Sequence, residues 1–247
     1  MGFTTRLWVN ISPFFRRFPA KHRYMAERVN RRIAVDRRHG YIYFRIPKAA
    51  NSTVIRNFIE LPAGNDFESG SAKESFARVS QLTWSEVRKL EERFFLFTVV
   101  RDPFTRAVSA YFDKVQRSPR RTKVVSGLRR TVEDHISFEE FCDFLESGGL
   151  DEDAHWCRQI DLVPCGYERL HAVGRVESLD VDLPGILDRA IGHRPEIASY
   201  RPHQTGAGSR LKEIYTPETV ERIRTIYRAD FETLGYPMEP GWTHELG

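Results

Sequence analysis

The chain is 247 residues long, 40 % apolar and 29 % charged, which is enough for one full-sized core and too apolar for wholesale disorder. It has no apolar run of the roughly 18 residues that would span a membrane and no unbroken apolar h-region near Met1. Three cysteines (Cys142, Cys157, Cys165) without a Cys-x-x-Cys pair argue against a disulfide framework or zinc site, and for a reducing compartment, the cytoplasm. Net charge is +4 but uneven: residues 1–40 hold ten Lys/Arg and two Asp/Glu, the remainder 28 and 32. This basic arm is either a solvated terminus or a contact for nucleic acid, acidic lipid at a membrane surface, or an anionic sugar polymer. The domain proper is placed at 41–247.

Gly40 precedes Tyr41-Ile-Tyr-Phe-Arg-Ile46, a buried strand by its β-favouring run, and Pro47 ends it. Val54, Ile55, Phe58 and Ile59 then fall at helical spacing, with Asn51 or Ser52 as N-cap. Residues 63–80 are polar and Gly-rich, a surface loop. Thr83-Trp-Ser-Glu86 has capping-box spacing for a helix. Phe94 to Val100 is a continuous apolar run, a strand buried on both faces as in a parallel sheet. Asp102-Pro103 opens a helix through Phe104, Val108, Tyr111, Phe112 and Val115. Residues 117–130 form a basic loop, and a helix runs from Ser137 to Gly148-Gly149. His171–Val176 reads as a short strand and Leu183–Ile191 as a helix. Thr216-Pro217 opens a last helix that Gly235 stops. Strands alternating with helices predict an α/β, P-loop-like three-layer fold with a central, mainly parallel sheet flanked by helices.

Two strand-to-helix turns carry chemistry. In Ile46-Pro47-Lys48-Ala49-Ala50-Asn51-Ser52-Thr53, small residues let backbone N–H groups approach an anion at a helix N-terminus. Lys48 adds a full charge, and Ser52 and Thr53 add hydroxyls. The lysine precedes the small residues, so this is not Gly-x-x-x-x-Gly-Lys-Ser/Thr, and taken alone a lysine at a strand end is more often simply solvated. In the second turn Arg101 ends a buried strand, where α/β folds bind ligands, and its fork suits a phosphate. The alternative pairs Arg101 with a carboxylate and turns the Ser109 hydroxyl onto a helix carbonyl.

Together the turns resemble the donor site of sulfotransferases that use 3′-phosphoadenosine 5′-phosphosulfate (PAPS). The first is similar to their 5′-phosphosulfate loop. The second is similar to their 3′-phosphate motif, Arg-x-Pro-x-x-Arg-x-x-Ser-x-Tyr, matched at Arg101, Pro103, Arg106, Ser109 and Tyr111. Three further segments resemble the carbohydrate sulfotransferase group that includes the chondroitin 4-O and HNK-1 enzymes. They are Asp153-Ala-His-Trp-Cys-Arg-Gln159, Gly174-Arg-Val-Glu-Ser-Leu179 and Tyr227-Arg-Ala-Asp-Phe-Glu-Thr-Leu-Gly-Tyr236. Arg158 departs from a common proline, the group's cysteine pair is not reproduced, and the membrane anchor of Golgi members is missing. The pattern is that of a soluble, bacterial-type relative.

The resemblance implies sulfuryl transfer from PAPS to a hydroxyl, with a carbohydrate or glycolipid acceptor and no metal. Lys48 would neutralise charge on the leaving group while Pro47 and Ala49 to Thr53 cradle the 5′-phosphate. Arg101 and Ser109 would hold the 3′-phosphate. His155 is the expected general base, beside Trp156 as a sugar-stacking ring, with Glu68 and Glu74 next in line. The alternative has His155 and Trp156 packing the core. Lys114 and Arg106 would reach donor or acceptor anions, and Ser209 and Arg210 the nucleotide; Arg120, Arg121, Lys123, Arg129 and Arg130 would contact an anionic acceptor, although such a run is more often a solvated loop. Two rivals fit less well: a P-loop kinase lacks its Gly-Lys-Ser/Thr and a strand-end Asp, and a nucleic-acid-binding module lacks a recognition helix or stacking motif.

Overall fold

A computed structural model of the chain describes residues 8–58, 69–116, 135–192 and 210–245. Its strands are β1 (Ile33–Asp36), β2 (Tyr41–Arg45), β3 (Phe95–Val100) and β4 (Ala172–Arg175). The helices used below are α1 (Asn51–Phe58), α2 (Ser69–Glu74), α3 (Pro103–Ala110), α4 (Phe138–Glu146), α5 (Leu179–Ile191), α6 (Pro217–Ile226) and α7 (Arg228–Leu234). Shorter helical segments include Pro13–Arg17, Ala26–Asn30 and Trp84–Arg88. Among the described residues no helix is long and apolar enough to cross a membrane. The chain divides into two compact units, Met1–Val100 with Ile160–Pro202, and Arg101–Gln159 with His203–Gly247.

The first unit holds the sheet, in the order β1-β2-β3-β4. β2–β3 and β3–β4 are parallel, while β1 runs antiparallel to β2. The expected central, mainly parallel sheet flanked by helices is present. β1 lies inside the segment read as a basic arm. The hairpin is closed by Asp36, whose carboxylate accepts the N–H groups of Arg38 and His39, and by Gly40 at φ 74. One sheet face packs Tyr41, Tyr43, Phe97 and Val99 against Val54 and Ile55 of α1 and Leu183, Ile186 and Leu187 of α5. Tyr43 stacks on Phe97 with ring centroids 4.7 Å apart. Each such buried side chain stabilises by roughly 1.5–3 kcal/mol.

Several boundaries differ from expectation. Within 63–80, residues Ser69–Glu74 form α2 rather than loop, and Val35 donates its N–H to the Ala77 carbonyl at 3.0 Å. α5 begins at Leu179, not Leu183, because the Asp182 carboxylate ties Ser178 and Arg175 to the first turn. The Thr83–Glu86 capping box is formed as its spacing predicts: Glu86 accepts the Thr83 N–H at 2.7 Å. Burial leaves Cys142, Cys157 and Cys165 as free thiols, with Cys142 and Cys165 pushed up to about 12.

The second unit is built on aromatic packing. Phe104 of α3 meets Phe231, Tyr215 and Trp242 at centroid distances of 4.9, 5.5 and 5.3 Å. α3 opens as predicted, with the Asp102 carboxylate accepting the Thr105 N–H and Pro103 following. It continues over Tyr111–Gln116 as a π-helix, pinned by the Tyr111 hydroxyl donating to the Ile136 carbonyl at 2.7 Å. The last helix is two: Tyr227 breaks it, and Gly235 at φ 65 ends the second.

Candidate active site

In the first unit, β2 delivers the chain to the turn at 46–53. Lys48 and Ala50 both sit in the left-handed region, at φ 70 and φ 52. Residues with a Cβ avoid that region, and persist there only where surroundings dictate it, often at ligand sites. The turn is fixed by Ala49, fully buried, whose N–H reaches the Ile46 carbonyl at 3.2 Å. The Ala50 carbonyl accepts the Val54 N–H at 3.0 Å, so Ala50 caps α1 rather than Asn51 or Ser52. The Asn51 side chain instead accepts the Tyr43 hydroxyl at 2.9 Å, tying the turn to β2. Residues 51–53 make the N-terminal turn of α1. They add the positive end of the helix dipole to the charge of Lys48. Pro47 is buried beneath the turn, while Lys48, Ala50, Ser52 and Thr53 are partly exposed. Alternating left-handed backbone, a helix N-terminus, hydroxyls and a lysine make a cradle for a phosphate-like anion.

Lys73 was invisible to the sequence argument, lying in what reads as loop. From α2 its ammonium donates to Ser52 Oγ at 3.0 Å. Glu74, one residue on, is exposed.

In the second unit, Arg101 is partly buried. Its backbone N–H donates to Gln159 Oε1 at 3.0 Å, and its carbonyl accepts Gln159 Nε2 at 2.8 Å. Its Nε donates to the Thr105 hydroxyl at 3.1 Å. Ser109 is 2 % exposed, well inside the helix packing.

Arg106 is turned inward among carbonyls. It is 1 % exposed, and its guanidinium donates to the carbonyls of Cys157 at 2.7 Å and Ala154 at 3.1 Å. Trp156 does not present a stacking face. It is wholly buried, edge-on to Phe141 and Phe144, with its indole N–H on the Gly149 carbonyl at 2.8 Å. Both serve to hold the segment 153–159. From the other side Tyr227 donates to the Trp156 carbonyl at 2.5 Å, Arg158 to the Ile226 carbonyl at 2.9 Å, and the Gln159 N–H to buried Asp230 at 2.8 Å. Three separate sequence segments thus meet on one strap.

His155 rides on that strap, and its ring remains partly exposed. Its Nδ1 lies 2.6 Å from Asp153 Oδ1, and the same oxygen accepts the His155 N–H at 3.1 Å. With Nδ1–H given to the carboxylate, Nε2 becomes the basic nitrogen, and the resulting imidazolium is stabilised. Of the other expected contacts, Lys114 is 2.9 Å from Asp113, and Arg210 pairs with Glu213 at 3.0 Å and lies over the Phe112 ring at 4.3 Å. Glu68, Ser209, Arg120, Arg121, Lys123, Arg129 and Arg130 lie outside the described residues.

The family model described as the sulfotransferase family matches residues 31–237. The chain belongs to the sulfotransferase family. Carbohydrate sulfotransferase 10 of Homo sapiens is 28 % identical over 243 residues, which cover 83 % of this chain and 67 % of the relative. The Danio rerio carbohydrate sulfotransferase 14 is 26 % identical over 242 residues, covering 86 % and 64 %. No solved structure matches the chain. For this sulfotransferase the family implies PAPS as co-substrate.

Proposed function

We propose that this sulfotransferase moves the sulfuryl group of PAPS to a hydroxyl of a carbohydrate acceptor. The observation that carries the donor half is the turn with Lys48 and Ala50 both left-handed ahead of α1. The acceptor half is supported by the names of the relatives, which are carbohydrate sulfotransferases. In this reading the backbone from Ala49 to Thr53, with the Ser52 and Thr53 hydroxyls, holds the 5′-phosphate. Lys48 neutralises charge as the bond to the departing phosphate breaks. Arg101 and Ser109 hold the 3′-phosphate. His155, oriented by Asp153, takes the acceptor proton on Nε2 while its oxygen attacks sulfur, and no covalent enzyme intermediate is needed.

The test is an acceptor screen with PAPS labelled in the sulfuryl group, offering oligosaccharides, glycolipids and small phenols. Transfer to oligosaccharides or glycolipids, lost in Lys48→Ala, supports the reading. Transfer to phenols alone would remove the carbohydrate acceptor and leave the donor chemistry standing.

A further inference from the structure

Among the described residues the ammonium of Lys73 has no counter-charge. Its hydrogen-bond acceptor among the described residues is a neutral hydroxyl, Ser52 Oγ, at 3.0 Å. The groups around it add to the imbalance. Arg45 on β2 acts on it as a like charge, α1 packed against α2 carries Arg56, and Arg78 follows beyond the helix, donating to the Lys73 carbonyl at 3.2 Å. Glu74 is exposed, and its charge acts on Arg78. Burial and then the Arg45 charge push the Lys73 ammonium down to about 8. A lysine that is partly desolvated among cations costs stability unless something anionic joins it. The residue it touches is the hydroxyl-bearing first turn of the cradle.

We propose that Lys73 is a second ammonium ligand of the donor's 5′-phosphate, reaching the cradle from α2 where Lys48 reaches it from the loop. This rests on the donor reading of the turn. The two lysines divide the work. Lys48 is expected to act mostly as charge grows during transfer, and Lys73 to act on binding of the phosphate already present in the ground state. A bound phosphate dianion also stabilises the protonated form. Above about pH 8 the free protein has lost the Lys73 proton while the complex retains it, so binding takes up a proton and affinity falls as pH rises.

The experiment measures equilibrium binding of adenosine 3′,5′-bisphosphate, adenosine 3′-monophosphate and 5′-AMP to wild type, Lys73→Gln and Lys73→Arg. Lys73→Gln is expected to bind the bisphosphate about tenfold or more weakly, the scale of one charge-assisted contact. It should bind the 3′-monophosphate, which lacks the 5′ group, as wild type does. Lys73→Arg should restore most of the affinity. The fall in wild-type bisphosphate affinity above about pH 8 should be absent in Lys73→Gln. Unchanged bisphosphate binding by Lys73→Gln, or an equal loss for both 3′-phosphorylated ligands, overturns the proposal while leaving the donor reading intact. A wild type that does not prefer the bisphosphate to 5′-AMP overturns the donor reading itself, and this inference with it. Should Lys73→Gln fail to fold, Lys73→Met carries the same expectations.

Discussion

Lys48 holds its charge on a backbone that side chains with a Cβ rarely adopt. A non-glycine residue there costs roughly 1–2 kcal/mol, so the turn at Lys48 and Ala50 is held against that cost by the buried Ala49 and the Tyr43–Asn51 hydrogen bond. Lys48→Ala keeps the backbone and removes the charge. It is expected to lower kcat by about 10²-fold or more with the protein still folded. Steady-state rates within about threefold of wild type would take Lys48 out of the mechanism. His155 makes a complementary case. His155→Ala should lower kcat by about 10²–10⁴-fold and leave bisphosphate affinity unchanged, as removal of a general base does. Asp153→Asn should lower kcat too and shift the pH–rate profile, because an amide neither fixes the ring tautomer nor stabilises the imidazolium. If His155→Ala instead loses nucleotide binding, the ring serves packing rather than catalysis.

At the scale of elements, the strap 153–159 depends on Gln159, which is fully buried and bonds both backbone groups of Arg101. Gln159→Leu leaves that N–H and carbonyl without their partner. A loss of about 2–4 kcal/mol in chemical unfolding is expected, together with weaker bisphosphate binding. A second prediction concerns Glu86 of the segment Trp84–Arg88. The Arg37 hydrogen bond, against the opposing effect of burial and with help from Thr83, holds its carboxyl down to about 2, below its usual 4.5. Since the folded value is the lower one, the contribution is complete above about pH 4.5 and disappears as pH falls through about 2. The stability difference between wild type and Glu86→Gln should shrink over that window, and a difference independent of pH would contradict it.

The sequence made β2, β3, α1 and α3 legible because long apolar runs and caps are local signals. β1 escaped because Ile33-Ala-Val-Asp36 is short and surrounded by arginines, so charge masked a strand whose partner is supplied by the hairpin. α2 escaped because its Ser and Gly residues are loop-like, and Lys73 escaped with it. Both turns were readable at the level of residue type. The fates of Arg106 and Trp156 were not, because an arginine spent on two backbone carbonyls and one facing a phosphate look alike in sequence. The family-like segments around Arg106, Gln159 and Asp230 encode, in part, mutual support.

For the whole molecule, the family match spans both units, and each unit carries one of the two turns. The donor reading assigns a 5′-phosphate to the first turn and a 3′-phosphate to the second. The match to relatives named for carbohydrates bears on the acceptor, whereas nucleotide selection can be measured without knowing it. At about 100 times its dissociation constant a ligand of the folded state adds roughly 2.7 kcal/mol, which corresponds to a melting shift of roughly 5–10 °C for a chain of this size. Adenosine 3′,5′-bisphosphate should give that shift in wild type, 5′-AMP and ATP should give little, and Arg101→Ala should lose most of it as the charge-assisted contact disappears. Equal shifts from 5′-AMP and the bisphosphate in wild type would contradict recognition of a 3′-phosphate, and with it the assignment of PAPS as donor.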